Sequence, residues 1–480
     1  MSHFWIELII NTLLAIASIF IVSNMFYVML IYASRKMLNR QKLSWPYNNF
    51  EHKPISLIVP SYNEEKNIVD SVESFLAQQY GHFEIIIVND GSKDQTLDNL
   101  LEKYSFKAIS FNPEQFKLCQ SKILQMFYCK ERNITIINKE NSGKADALNA
   151  GLDIAKYDYT CFVDADSILD PKAFNRVMLE FAIHPSLIAC GATIRVVNGV
   201  TIRDGKIETV SLPRGYIELC QLLEYTQSFL MGRLGWQFFD ATMIISGAFG
   251  VFKKAAVKEI GGFDKMSVGE DMDLIVRMHK YYTGKLGDKY SIGFIPDPLC
   301  WTEVPSDTSA LSNQRNRWQR GLLESIFSGD KILFSTNRSF FSRLAIPFYL
   351  ITEFVSPFIE ILSYILLAIG LIFGFINYKI VILFFIIGLL FSVVISLTSL
   401  IYEEKNFSKD MTLAQLLYLF YGSIVMNTGY RQYMAVQRLR GVIDFYLKRK
   451  DWGRMDRTGF IHKAPVQNKK SLVEPIKKQA

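Results

Sequence analysis

Apolar positions pile up at the two ends of the chain and thin to an ordinary mixed pattern between them. Positions 8–33 carry no charged residue, a run long enough to cross about 30 Å of hydrocarbon as a helix. The run is too long for a signal peptide, no basic region precedes it and no small-residue cleavage site follows, so it reads as a retained membrane helix. Three further apolar segments occupy 344–376, 380–402 and 411–430. The first contains Pro347, Pro357, Glu353 and Glu360, and the two glutamates, seven apart, share a helix face. Such a face does not look at lipid; it lines a polar path through the bundle or belongs to an interfacial helix. The third segment weakens at Asn427, Thr428 and Gly429, which suits an interfacial or re-entrant element.

Flanking charge sets an orientation. Arg35, Lys36, Arg40 and Lys42 follow the first apolar run, against only Glu7 and His3 on its other side. The positive-inside rule therefore places the N-terminus outside and the middle of the chain in the cytoplasm. Arg431, Arg438, Arg440, Lys448, Arg449 and Lys450 argue for a cytoplasmic tail as well, whereas three crossings after the middle region would put it outside. The expected organisation is a membrane helix within 1–36, a cytoplasmic domain over 53–330, membrane segments over 341–432 and a basic tail over 433–480.

Between the apolar ends the period changes. Buried-strand patterns at 55–60, 83–88, 134–137 and 159–163 alternate with helical ones, the first of them over 64–79 with Ile68, Val72, Phe75 and Leu76 on one face. Strand–helix alternation predicts an α/β domain with a mainly parallel sheet, whose polar loops gather at the carboxyl ends of the strands. Ligands bind along that edge in open α/β sheets, and each acidic turn of the domain follows a strand: Asn89-Asp90-Gly91-Ser92, and Asp164-Ala165-Asp166. The segment 96–134, between the second and third strands, is longer than such a core requires.

Composition narrows the picture. Half the residues are hydrophobic and 21% are charged, which excludes intrinsic disorder and repetitive fibrous classes. The net charge of +7 is modest and much of it borders the apolar segments, so a membrane surface explains it better than nucleic acid does. The six cysteines include no C-x-x-C pair and no zinc-like spacing with histidine, consistent with reduced, buried thiols. No G-x-G-x-x-G follows a strand, Gly143-Lys144 lacks the rest of a P-loop, and Asp164, Asp166 and Asp170 lack the glycine and terminal glutamate of a calcium loop.

Asp164 and Asp166 place two carboxylates where a hard divalent cation, Mg²⁺ or Mn²⁺, is shared with a diphosphate; a capped turn has the same letters. Gly269-Glu270-Asp271 opens a helix, where acids are ordinary caps, but Asp271 beside a metal site also suits a general base. Gln314-Arg315-Asn316-Arg317-Trp318 precedes the membrane segments; Arg317 suits a phosphate and Trp318 a sugar face, and the same letters suit an interfacial anchor. The run 246–250, Ser-Gly-Ala-Phe-Gly, is rich in small residues that permit close approach of a substrate or tight strand packing.

These spaced motifs, supported by the run 141–149, resemble the membrane-embedded processive family 2 glycosyltransferases, the poly-N-acetylglucosamine, hyaluronan, chitin and cellulose synthases, from about Pro54 to Trp318. The resemblance implies a GT-A fold flanked by transmembrane helices and inverting transfer from a UDP-sugar to a saccharide or lipid-linked acceptor. It implies that Pro60, Asn63, Glu64 and Asp90 hold the uridine and that Lys144 reaches the diphosphate. Asp164 and Asp166 would bind the metal, and Asp271, with Glu270 beside it, would be the base. Gln314, Arg317 and Trp318 would bind the acceptor end and the donor diphosphate. It further implies an integral protein of a bacterial inner or plasma membrane. The chain departs from the pattern in carrying Gly269 where many relatives have Thr, and its few apolar segments leave room for an accessory membrane subunit. Two rival readings are a non-processive transferase acting on a lipid or polyprenyl phosphate and, more distantly, a receptor or transporter with a degenerate nucleotide-binding domain.

Overall fold

The computed structural model describes residues 3–43, 52–203, 205–286, 289–327, 339–407, 411–449 and 459–462. Its centre is a ten-stranded sheet made of β1 (Ile55–Ser61), β2 (Phe83–Asp90), β3 (Lys107–Ile109), β4 (Ile123–Cys129), β5 (Ile134–Lys139), β6 (Tyr159–Phe162), β7 (Ser167–Leu169), β8 (Leu187–Val196), β9 (Gly250–Lys253) and β10 (Ser291–Thr302). Their spatial order is β3-β4-β5-β2-β1-β6-β9-β8-β10-β7. The four strands expected from the sequence, β5, β2, β1 and β6, are consecutive and parallel, with Ile55 opposite both Phe83 and Tyr159.

Every residue of β1 is buried, as a strand covered on both faces requires. Alternation divides it: Ile55, Leu57 and Val59 join the core under the helices Ile68–Leu76 and Ala173–Ile183, while Ile58 joins Ala147, Leu148 and Ile275 on the other face. The first helix is shorter than the expected 64–79. Asn63 has a left-handed φ of 56°, and the next backbone N–H groups are taken by another loop. Glu64 N donates to Thr96 Oγ1 (2.8 Å) and Glu65 N to Asp94 Oδ2 (3.1 Å).

The long segment 96–134 forms a helix, Thr96–Lys103, and then β3 and β4, which extend the sheet antiparallel from β5. Its connecting loop also grips the helix Lys144–Ile154: Leu118 N and Cys119 N donate to Asp153 Oδ2 at 2.8 and 3.0 Å. All six cysteines are buried and free.

Among the described residues, three helices are long and apolar enough to cross a membrane: His3–Gln41, Phe341–Ile372 and Tyr378–Phe407. The second passes through two π-helical turns, Phe341–Ala345 and Leu350–Val355, each just before a proline (Pro347 and Pro357) that cannot donate to the helix ladder. The expected third C-terminal segment is divided. Leu413–Val425 is 13 residues, about 20 Å, and the helix breaks at Thr428 and Gly429. There Arg431–Tyr446 begins, an amphipathic helix that packs on Thr308–Phe327. Glu353 and Glu360 face this helix rather than lipid, 3.3 Å from Arg438 and 3.6 Å from Arg431. Of the basic tail beyond Arg449, only 459–462 are among the described residues, so Lys450 lies outside them.

Candidate active site

The carboxyl ends of β1, β2, β5 and β6 release loops that meet in one place. Asp90, the last residue of β2, is buried, and its carboxylate accepts from Ser142 N (3.0 Å) and Gly143 N (2.9 Å). Asn141 Nδ2 donates to the Asp90 carbonyl oxygen at 2.7 Å, so the β2 end fastens the loop that leads into the helix Lys144–Ile154. Gly91 (φ +66°) has no alternative there, because a Cβ would sit 2.8 Å from Asn141 N.

Beneath this loop lies a charged group that sequence reasoning missed. The Lys139 ammonium, fully buried, touches Asp90 and lies 3.2 Å from Asp146. Asp146 also accepts from Gln120 N (2.7 Å) and Ser121 Oγ (2.6 Å). Burial alone would raise its pKa, but these donors and Lys139 outweigh it and hold the carboxyl below its usual value. The sequence signal was a lysine closing a strand whose apolar residues are Ile134, Ile136 and Ile137.

Lys144 opens its helix and extends into the cleft. Its Nζ lies 2.6 Å from Asp164 Oδ1 and 3.2 Å from Glu270 Oε1, joining the turn after β6 to the start of the helix Glu270–Leu286. Burial opposes its charge, but Asp164 and Glu270 prevail and raise its pKa. Gly247 closes this cluster: a Cβ there would lie 2.7 Å from Lys144 Nζ and 3.7 Å from Asp164. The backbone at Gly247 thus approaches the charged groups so closely that a side chain there would press on Lys144.

Asp271 shares that wall. Its Oδ2 accepts from Gly247 N (3.2 Å) and its Oδ1 from Met272 N (2.8 Å). Burial first, then repulsion from Glu270, raise its pKa against the opposing pull of Lys144. A carboxylate made more basic by its surroundings, on a rigid helix start, has the properties of a proton acceptor. Two contacts hold the loop before it. Asn149 and Phe263 exchange hydrogen bonds of 2.8 and 2.9 Å, and Val268 N donates to Glu324 Oε2 at 2.8 Å. Gly269 and Gly321 meet backbone to backbone, so a Cβ on either would fall within 2.8 Å of the other's Cα.

The expected residues therefore separate by position. Asp164, Lys144, Glu270 and Asp271 come together in one cluster, and Asp166 is buried two residues beyond Asp164. Pro60 is buried within β1 opposite Val88, and Asn63 is exposed at its end, where its Oδ1 accepts from Lys93 N (2.8 Å). Glu64 stands beside Asn67, 3.4 Å away. On the helix Thr308–Phe327, Gln314 is buried and Trp318 is 40% exposed, with the Arg315 guanidinium 4.3 Å from its ring centre. Arg315 itself forms a paired contact with Glu224 (2.7 and 2.9 Å), and Arg317 is half-buried.

Comparison with known proteins bears on the family and the fold. The model of glycosyl transferase family 2 matches residues 56–261, and that of glycosyl transferase family group 2 matches 159–397. A poly-beta-1,6-N-acetyl-D-glucosamine synthase of Staphylococcus epidermidis is 30% identical over 305 residues, 63% of this chain and 61% of the relative. The synthase of the same name from Staphylococcus aureus strain COL is 32% identical over 284 residues, 58% of each chain. The chain thus spans about three fifths of the length of these relatives. Among solved structures, a mannosyltransferase from Pyrobaculum calidifontis, in complex with GDP-Man and Mn²⁺, superimposes with a TM-score of 0.56 at 15% identity, covering 92% of this chain and 100% of the other. That likeness carries the GT-A fold, and the two matching models together span 56–397: the chain belongs to glycosyltransferase family 2.

Proposed function

We propose that the protein extends a β-linked polysaccharide at the membrane, taking N-acetylglucosamine from UDP-N-acetylglucosamine with inversion. The observation that carries this reading is the convergence of Lys144, Asp164, Glu270 and Asp271 against the backbone of Gly247. The named relatives, poly-beta-1,6-N-acetyl-D-glucosamine synthases, supply the sugar and the linkage.

Asp271 accepts the proton of the acceptor's 6-hydroxyl as that oxygen attacks the anomeric carbon. The bond from that carbon to the UDP oxygen breaks, its electron pair leaves with the diphosphate, and an α-linked donor becomes a β-linked product. Base catalysis of this kind contributes about 10²–10⁴ in rate. Lys144 meets the negative charge that the leaving diphosphate gains, a role its raised pKa favours by keeping it cationic. Asn63, Glu64 and Pro60 line the uridine side, while Asp90 acts from below by holding the Gly143 loop.

A divalent cation, Mg²⁺ or Mn²⁺, fits at Asp164 and Asp166. Among the described residues no three His, Cys, Asp or Glu side chains form a complete cage. That suits an ion taking one or two carboxylates and completing its shell with substrate phosphate oxygens. The Lys144 ammonium lying between Asp164 and Glu270 supports a locus built to attract positive charge. Bound there, the cation would stabilise charge on the departing diphosphate.

The catalytic domain faces the cytoplasm in this reading. One crossing precedes it and two follow, which returns Arg431–Tyr446 to the domain's side, where it packs on Thr308–Phe327. The basic residues Arg35, Lys36 and Arg40 end the first helix on that same side.

The test is UDP release and product length from the full chain in lipid nanodiscs given a panel of UDP-sugars, with metal-free and Asp271→Asn controls. Long polymer from UDP-N-acetylglucosamine alone, lost in both controls, is expected. Single-sugar lipid products would replace polymerisation by one-step transfer, and turnover that survives Asp271→Asn would remove the base assignment.

A further inference from the structure

Arg233 has no role in the chemistry derived so far, yet its setting is unusual for an arginine. It ends a π-helical turn, Ser228–Arg233, within an otherwise α-helical stretch from Tyr216 to Phe238. Such turns concentrate at functional sites because the extra residue re-aims a side chain. The guanidinium stacks 3.9 Å over the ring of Phe229. Its Nε and Nη1 are buried and have no hydrogen-bond partner among the described residues. Structural arginines of this chain look different: Arg315 is matched by Glu224 and Arg176 by Glu180 and Asp297. Buried donors left open by the protein call for a partner from outside it.

The surroundings indicate which partner. The charges and hydroxyls nearest in effect to Arg233 are Tyr349, Asp271 and Tyr225. Asp271 is the proposed base, and Tyr349 belongs to the membrane segment Phe341–Ile372. Arg233 is therefore within electrostatic reach of both the proposed base and the membrane segment Phe341–Ile372. The metal locus and Lys144 lie on the sheet edge, where the diphosphate would sit. Two partly exposed tyrosines interact with the same group, Tyr225 lying 5.7 Å from the buried Phe229 ring and Tyr349 stacking at 5.8 Å on the buried Trp236. Aromatic faces beside a fork of N–H donors are what a neutral saccharide requires, its apolar ring faces on the rings and its hydroxyls on the donors. Burial pulls the Arg233 pKa down to about 10, so the group stays charged near neutral pH.

We infer that Arg233 anchors the acceptor saccharide, donating from Nε and Nη1 to its oxygens and so setting the terminal hydroxyl against Asp271. This rests on the transferase reading above. Arg233 is a binding residue for the growing chain and takes no part in holding UDP.

The experiment compares wild type, Arg233→Gln and Arg233→Lys as full chains in nanodiscs. UDP affinity is measured by calorimetry, and the KM for an added β-1,6-linked N-acetylglucosamine pentasaccharide is measured at saturating donor. Arg233→Gln should raise that KM by roughly tenfold or more while leaving UDP affinity within about twofold, and Arg233→Lys should recover part of the loss. The preserved UDP affinity doubles as proof that the variants fold. An unchanged acceptor KM in both variants, or a fall in UDP affinity that parallels the change in KM, would overturn the assignment. A wild-type protein that turns over no UDP-sugar would sink the underlying transferase reading as well, and is thereby told apart from failure of Arg233 alone.

Discussion

Gly321 is one helical turn beyond Trp318 and lies against Gly269, two residues before Asp271. Replacing it with alanine places a methyl 2.7 Å from the Gly269 Cα and 2.9 Å from its N. Carbon contacts relax near 3.5 Å, so the helix and the loop must part by about 0.8 Å. The opposing atoms are backbone, and no side chain can swing aside. The strain costs about 1–3 kcal/mol as overpacking, offset by about 1 kcal/mol of improved helix propensity. The net stability loss is therefore small, about 0–2 kcal/mol. Activity is more sensitive, because a shift of that size carries Asp271 away from Gly247 N, whose bond is already 3.2 Å. Misplacement near 1 Å costs up to about a hundredfold. The assay is kcat for UDP release together with thermal unfolding, using Gly284→Ala as control. Gly284 sits on the base-bearing helix with nothing within 4 Å of a Cβ, so the control should stabilise slightly and keep full activity. If Gly321→Ala turned over at the wild-type rate and gained stability as the control does, close approach would not be the reason for the glycine pair.

Three other outcomes follow from the same geometry. Gly247→Ala pushes on the flexible end of Lys144, so the fold should survive within about 1 kcal/mol while kcat/KM for the UDP-sugar drops at least about tenfold, as paired unfolding and initial-rate measurements would show. Lys139→Met leaves Asp90 and Asp146 buried without their cation and should cost about 3–5 kcal/mol in denaturant unfolding; the wild-type contribution of Asp146, whose folded pKa is depressed, is present above the ordinary carboxyl range and fades as pH falls through the lowered value. Asp271, the proposed base, has a raised pKa and would act only when ionised, so the acid limb of kcat/KM should lie above the usual aspartate range; Glu270→Gln removes a repelling charge and should move that limb to lower pH, and a limb that stayed in place would refute the coupling.

The parallel half of the sheet was legible because its strands are covered on both faces and read as unbroken apolar runs, with acidic turns at their ends. The far side of the sheet was not, since β9 is four residues long and β10 is interrupted by Pro296 and Pro298, which hide the pattern of a strand. Asp164, Lys144 and Asp271 were legible as chemistry-bearing letters at element boundaries, but their meeting depends on three separate crossovers. Lys139 was hidden for the opposite reason, being a charge with its partners supplied by β2 and by the next helix. Glu353 and Glu360 were seen to share a face, yet the arginines opposite them are on a helix that follows two further elements. Local period reveals faces, and tertiary contact decides what each face meets.

The Gln314–Trp318 stretch illustrates how one helix divides such duties. Arg315 is committed to Glu224, which also accepts from Tyr430 Oη at 2.8 Å, and Asn316 donates to Asp444 at 2.7 Å. Gln319 donates to the Glu353 carbonyl at 2.9 Å, and Gly441 packs so closely on Gln319 that a Cβ would fall 2.6 Å from it. These bonds tie the helix to the elements beside the membrane. Its other side, through Gly321 and Glu324, holds the loop that presents Asp271. Trp318 alone in the stretch is exposed, with the Arg315 guanidinium over its ring at 4.3 Å. A substitution at Arg315 would therefore disturb Trp318 and the membrane contact together. The helix thus joins the loop that presents Asp271 to the elements beside the membrane segments, a duty separate from the substrate contact proposed for Trp318.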